Sequence, residues 1–177
     1  MDDHSIIDST ELYSGKISIR LDKYYLGDRI IEKEIVEHAD SVGIIALDDR
    51  DNIILVEQFR PATRCSLLEI PAGKIEKGET PERAALREMN EEIGLSGKLT
   101  PLFQCYLAPG YDTEKMYFFV ASNLKLSKNK LAQDEDEEIK VKRMKLRSAI
   151  KKCVSGKITD CKTIAAIMII SNRKKNR

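Results

Sequence analysis

The chain has 177 residues, a mass of 20.1 kDa and 42% hydrophobic content, enough to bury one core and too much for a disordered polymer. Lys and Arg total 30 against 29 Asp and Glu, a net charge of +1. That balance excludes a globally basic nucleic-acid binder and gives no support to a polybasic membrane-surface protein. The longest apolar run, Ile164 to Ile170, is far short of the ~20 residues that span a bilayer, so no membrane partner is expected. Cys65, Cys105, Cys153 and Cys161 form no CxxC pair and have no histidine close by, which argues against a zinc site. With an acidic N-terminus and no apolar leader, they fit a reducing cytoplasm.

Residues Thr10 to Glu37 alternate between apolar and polar side chains, with a turn at Gly27-Asp28, and predict a small antiparallel meander. Ser41 to Leu47 is a short apolar strand. A turn over Asp48 to Asn52 leads to a return strand, Ile53 to Phe59, and Leu67 to Ile70 is a further strand ended by Pro71. Thr80-Pro81-Glu82 reads as a helix start, with Thr as N-cap and Pro at the first helical position. That helix runs to about Ile93, where Gly94 supplies the stop. Lys98 to Tyr106 and Lys115 to Ala121 are strands around a Pro109-Gly110 turn. Leu126 to Glu138 reads as a loop, Ile139 to Lys145 as a strand, and Leu146 to Val154 and Thr159 to Ser171 as closing helices before a frayed basic tail, Arg173 to Arg177. Strands and helices without regular βαβ alternation predict an α+β fold.

The charges cancel in the sum but are segregated along the chain. Gly73 to Leu95 reads GKIEKGETPERAALREMNEEIGL. Its Glu88, Glu91 and Glu92 stand at i, i+3 and i+4 and project from one face of the helix. Like charges so spaced repel, and two readings follow. One is a solvated acidic face with intrahelical ion pairs, in which Arg87 neutralises part of the charge. The other is a site for a hard divalent cation, Mg²⁺ or Mn²⁺, which takes carboxylate oxygens and keeps waters for a phosphate to replace. Gly73 and Gly78 bracket the preceding loop, so the backbone there can approach a ligand closely.

The segment resembles the box of the Nudix hydrolases, GX5EX7REUXEEXGU with U aliphatic. Gly73, Glu79, Arg87, Glu88, Met89, Glu91, Glu92, Gly94 and Leu95 all fall in place. The resemblance implies a Nudix fold, a mixed β-sheet between α-helices. It implies metal ligation by Glu88, Glu91, Glu92 and the carbonyl of Ala72, with Glu79 and Arg87 bracing the loop and helix. The implied chemistry is attack of water on a diphosphate linked to a further moiety.

Three stretches are similar to the ADP-ribose pyrophosphatase branch: Val56-Glu57-Gln58-Phe59-Arg60-Pro61, Leu68 to Gly73, and Ala108-Pro109-Gly110-Tyr111, where Pro109 lies fifteen residues after Gly94. This likeness implies substrate contacts at Pro109 and Gly110 and a phosphate contact at Arg60, which from sequence alone reads equally as a surface ion pair. Glu69 reads slightly better as a strand-edge surface charge than as a residue ordering substrate. The acidic run Asp134 to Glu138 reads as a soluble loop or, by resemblance, as a mobile loop supplying a general base, Glu135 or Glu137. Residues 1–38 are expected to form an N-terminal antiparallel strand arm that favours a homodimer, and 39–177 the Nudix domain. Tyr24 or Tyr25 is a candidate to stack on a base, the chain having no Trp, although either one alone reads more readily as an ordinary amphipathic strand residue. His38 reads as structural or solvated. The expected activity is Mg²⁺-dependent hydrolysis of ADP-ribose to AMP and ribose 5-phosphate. The alternatives are another nucleoside diphosphate sugar or a dinucleotide as substrate, a non-catalytic Nudix-fold sensor, and an RNA-processing enzyme, for which only the short basic tail speaks.

Overall fold

The structure is a computed structural model in which residues 5–127, 131 and 138–175 are described. The chain forms two compact units. One comprises the chain up to Asp40 together with Cys105–Met116, and the other Ser41–Gln104 with Tyr117–Arg177.

In the first unit, β1 (Ile6–Ser14), β2 (Ser18–Leu26) and β3 (Arg29–Glu37) make an antiparallel three-stranded sheet in the order β1-β2-β3. The meander starts at Ile6, earlier than the alternation from Thr10 suggests, because Ile6 pairs with Tyr24 across the sheet. Gly27, with φ 60°, turns the chain between β2 and β3. The turn containing Pro109 and Gly110 belongs to this unit. Val36 donates its amide to the Tyr111 carbonyl at 2.7 Å and accepts from the Thr113 amide at 3.0 Å. The His38 backbone amide donates to Thr113 Oγ1 at 3.0 Å.

The second unit is organised by β4 (Ser41–Leu47), buried at every position. Successive side chains of a strand point to opposite faces, so a fully buried strand must be covered on both. On one face Val42, Ile44 and Ala46 join Ala84, Ala85, Met89 and Ile93 of α1 (Pro81–Ile93) in a common core. The other face lies toward α2 (Leu146–Val154) and α3 (Cys161–Lys175), which bury Leu146, Ala149, Ala166, Ile167 and Ile170. The strands β5 (Asn52–Arg60), β8 (Leu95–Tyr106), β9 (Lys115–Leu126) and β10 (Ile139–Lys145) complete the order β10-β5-β4-β9-β8. β6 (Cys65–Glu69) pairs with β5, and β7 (Ala72–Lys74) pairs with β4. The fold is α+β with a mixed sheet, as expected. Among the described residues no helix is long and apolar enough to cross a membrane.

α1 starts and stops where its sequence predicts. Thr80 Oγ1 accepts from the Arg83 amide at 3.3 Å, Pro81 opens the helix, and Gly94 closes it at φ 66°. Two expectations need correction. β7 occupies part of what reads as a loop, because Ala72, Gly73 and Lys74 pair with Gly43, Val42 and Ser41. α3 begins later than Thr159, capped by Asp160, whose Oδ2 accepts from the Thr163 amide at 2.9 Å. It then continues through Arg173 to Lys175 rather than fraying. Arg173 Nη2 donates to the Leu102 carbonyl at 2.7 Å, and Lys174 bonds the Asp51 carboxylate, so the last turn is tied to neighbouring elements.

Candidate active site

The site is built where α1 crosses β7. A rigid helix carries the carboxylates, and a short strand offers its backbone to them. Glu92 is 2% exposed, and its Oε2 accepts from the Ala72 amide at 3.0 Å. One turn earlier, Glu88 lies against Gly73. A Cβ at Gly73 would fall 2.0 Å from Glu88 Cδ and Oε1, so only glycine leaves the carboxylate its place.

Arg87 binds the cluster together. Its Nη1 donates to Glu88 Oε1 at 2.7 Å and to Glu91 Oε2 at 2.9 Å. Its Nε and Nη2 make a fork on Glu79 at 3.1 and 3.0 Å, and Nη2 also reaches the Lys74 carbonyl at 2.9 Å. The planar guanidinium can serve all these acceptors at once where a lysine could not. The hydrogen bonds that Arg87 donates to Glu79 raise the pKa of Arg87 further, burial opposes this, and Glu88 and Glu91 add to the rise. Arg87 in turn holds Glu79 below the usual carboxylate range against the opposing effect of burial, with help from the Glu76 amide. The bracing of loop and helix by Glu79 and Arg87 is thus a set of named contacts.

Among the described residues no three His, Cys, Asp or Glu side chains converge closely enough to hold a metal ion as they stand. The reason is local: Arg87 draws Glu88 and Glu91, and the Ala72 amide draws Glu92. The donor set nonetheless fits a hard cation. Glu88, Glu91 and Glu92 offer carboxylate oxygens on one helix face, Ala72 meets Glu92 through its amide, and the Gly73 cradle keeps a side chain out of the space beside Glu88.

Arg60 lies at the end of β5. Its Nε and Nη2 each donate to Glu69 at 2.8 Å in a bidentate pair. Glu69 corrects its sequence reading as a surface charge: it is 1% exposed. Lys162, from the first turn of α3, also bonds Glu69 and is held by Asp160 at 2.9 Å. Burial pushes the Glu69 pKa up, but the Arg60 hydrogen bonds and the charge of Lys162 outweigh it and keep the group ionised below the usual range. Next to Glu69, the Ile70 amide donates to Thr163 Oγ1 at 2.8 Å, and the Pro71 carbonyl accepts from the Ile44 amide at 2.8 Å. The backbone leading into Ala72-Gly73 is therefore fixed from both α3 and β4.

Asp160, Lys162 and Thr163 fall outside the motifs of the sequence. An aspartate before an apolar helical run is a cap signal that marks Asp160. No local pattern marks Lys162 as the partner of a residue 93 positions away. Glu135 and Glu137 lie outside the described residues. Pro109 and Gly110 are exposed and belong to the first unit, not to the one that carries α1.

A family model described as the NUDIX domain matches residues 37–158. The chain is 38% identical over 163 residues to an ADP-ribose pyrophosphatase of Bacillus subtilis (strain 168), covering 90% of this chain and 88% of that one. It is 33% identical over 167 residues to a methanol dehydrogenase activator of Bacillus methanolicus, covering 93% of this chain and 90% of that one. A solved structure of an ADP compounds hydrolase superimposes with a TM-score of 0.86 over 99% of this chain and 96% of that one. At 22% identity it shows the fold alone.

Proposed function

The chain belongs to the Nudix family, and on that premise we propose that it hydrolyses the diphosphate bond of ADP-ribose, releasing AMP and ribose 5-phosphate. The observation that carries this reading is the meeting of α1 with β7: Glu88 seated on Gly73 and Glu92 on the Ala72 amide. Glu88, Glu91, Glu92 and the Ala72 carbonyl would hold Mg²⁺ or Mn²⁺. Such a cation, when bound, neutralises charge on the diphosphate and lowers the pKa of the attacking water. Arg87 and Glu79 keep the glutamates on one face and the loop against the helix. Arg60 is a phosphate-binding candidate because its guanidinium is preset in one plane by Glu69, itself locked by Lys162. Pro109 and Gly110 are substrate-contacting candidates, and Glu135 or Glu137 the general base, on the resemblance alone.

The arm reading finds support in β1, exposed along its whole length although it carries Ile6, Ile7, Leu12 and Tyr13. Exposed apolar strands are the kind of edge that a second chain covers, which favours a homodimer built on this unit. A cytoplasmic enzyme acting on a small nucleotide, with no nucleic-acid or membrane partner, is the corresponding cellular reading.

Hydrolysis of a panel of nucleoside diphosphate derivatives, with products separated and Mg²⁺ or Mn²⁺ supplied, tests the substrate. AMP released from ADP-ribose well ahead of the other compounds is the expected result. Preference for another nucleotide sugar or a dinucleotide would replace ADP-ribose, and no turnover of any compound would favour the sensor reading.

A further inference from the structure

The basic residues gathered after Lys140 take little part in the candidate active site, and two of them stand where helix physics disfavours them. Lys145 occupies the N-cap of α2 without a side-chain cap hydrogen bond, Arg147 follows in the first turn, and that turn has no acidic residue. The N-terminal end of a helix is its positive end, so cations there are opposed rather than compensated. Two further cations arrive from other elements. Arg50 comes from the turn between β4 and β5, and Lys174 from the end of α3. With Lys145 and Arg147 they line one cavity of about 420 Å³.

Among the described residues the only acid in the wall is Asp51, and Lys174 already bonds its carboxylate. Lys145 Nζ is anchored on the Arg50 carbonyl at 2.7 Å. Among the described residues, the side chains of Arg50 and Arg147 have no hydrogen-bond or ion-pair partner. A second, independent feature is Ser171. It is only 8% exposed, lines the same cavity, and its hydroxyl has no partner among the described residues. A hydroxyl that opens onto a cation-lined cavity can donate to an acceptor placed there.

We propose that this cavity binds the phosphate group of a small phosphorylated compound at a site separate from the active site. The Leu146 amide is already held by the Asp51 carbonyl at 2.9 Å, so the donors for a phosphate are the next amides of α2, the guanidinium groups and a hydroxyl. Leu146 and Ile150 add apolar walls, and the volume falls in the range of small-molecule pockets, so an organic body attached to the phosphate can be housed. The separation follows from β5, which runs from Asn52, paired with Lys145, to Arg60, beside Glu69. Eight strand steps are about 26 Å.

The test is a titration of the isotopically labelled full chain with inorganic phosphate, with AMP and with adenosine, followed by backbone amide shifts. Saturable shifts at Leu146 to Ala149 and at Ser171 are expected with AMP or phosphate, weakened by salt, and absent with adenosine. The two phosphate arms separate a bare anion from a phosphomonoester. Arg147→Glu and Arg50→Glu should each weaken the saturation at least tenfold while hydrolysis proceeds as in the parent chain. The proposal is overturned if neither compound shifts these amides up to tens of millimolar, or if the shifts persist unchanged in both variants. Hydrolytic activity is read separately, so failure of the ADP-ribose assignment leaves this result standing.

Discussion

Gly73 and Glu88 are fitted to one another so closely that a single methyl group would displace the carboxylate, the added Cβ falling 2.0 Å from Glu88 Cδ. The atom struck is the end of a flexible side chain, so the fold can yield there while the site cannot. Gly73→Ala should therefore remain folded, with a small fall in Tm, yet lose hydrolysis by about 100-fold, the scale of loss for a catalytic group misplaced by about an ångström. Activity close to the parent's in a folded G73A protein would show that the Glu88 position is not critical.

Glu92 offers a sharper separation of chemistry from folding. A glutamine there can still accept the Ala72 amide hydrogen bond, so Glu92→Gln should cost no more than about 1 kcal/mol of stability. Loss of the charge should reduce turnover by about 1000-fold if the carboxylate helps stabilise the transition state through a cation. Denaturant unfolding and a product assay on the same preparation check both. Parent-like turnover would remove Glu92 from the ligand set.

Arg87 serves acceptors on Glu79, Glu88, Glu91 and the Lys74 carbonyl. Arg87→Lys keeps one positive charge but loses the fork, and should destabilise the chain by about 2 kcal/mol, the scale of a lost hydrogen bond to a charged group. Urea unfolding should report this as a lower midpoint at unchanged slope.

The Glu69 network predicts a pH effect with a definite sign. Its folded pKa is depressed, so its ionised form stabilises the fold fully above the ordinary glutamate range, and that stability is lost as pH falls through the lowered value. Lys162→Met removes one of the two cations on a buried carboxylate. It should cost about 3 kcal/mol at neutral pH and move the acid limb of the stability curve to higher pH. Glu69→Gln should flatten that limb. Melting temperatures measured from neutral to acid pH distinguish the three chains, and superimposable acid limbs would count against the coupling.

What the sequence determines by itself is local. The extent of α1 follows from Thr80, Pro81 and Gly94, and the shared face of Glu88, Glu91 and Glu92 follows from helical spacing, because caps and periodicity act within a few residues. The same spacing already marks the acidic face as a place that needs a counter-charge, and the glycine before it as a place of close approach. The tertiary structure decided which backbone that face meets. β7 exists only because Ala72 to Lys74 find Ser41 to Gly43, and Glu92 has its amide partner only because β7 exists. It also reversed the reading of Glu69. Alternation and strand position say nothing of Lys162 arriving from α3, and a carboxylate between two cations is stable in the interior where a lone one is not. Pairings of such long sequence separation are set by how the sheet and its covering helices close on the core, and that closure is the part of this protein its local pattern leaves open.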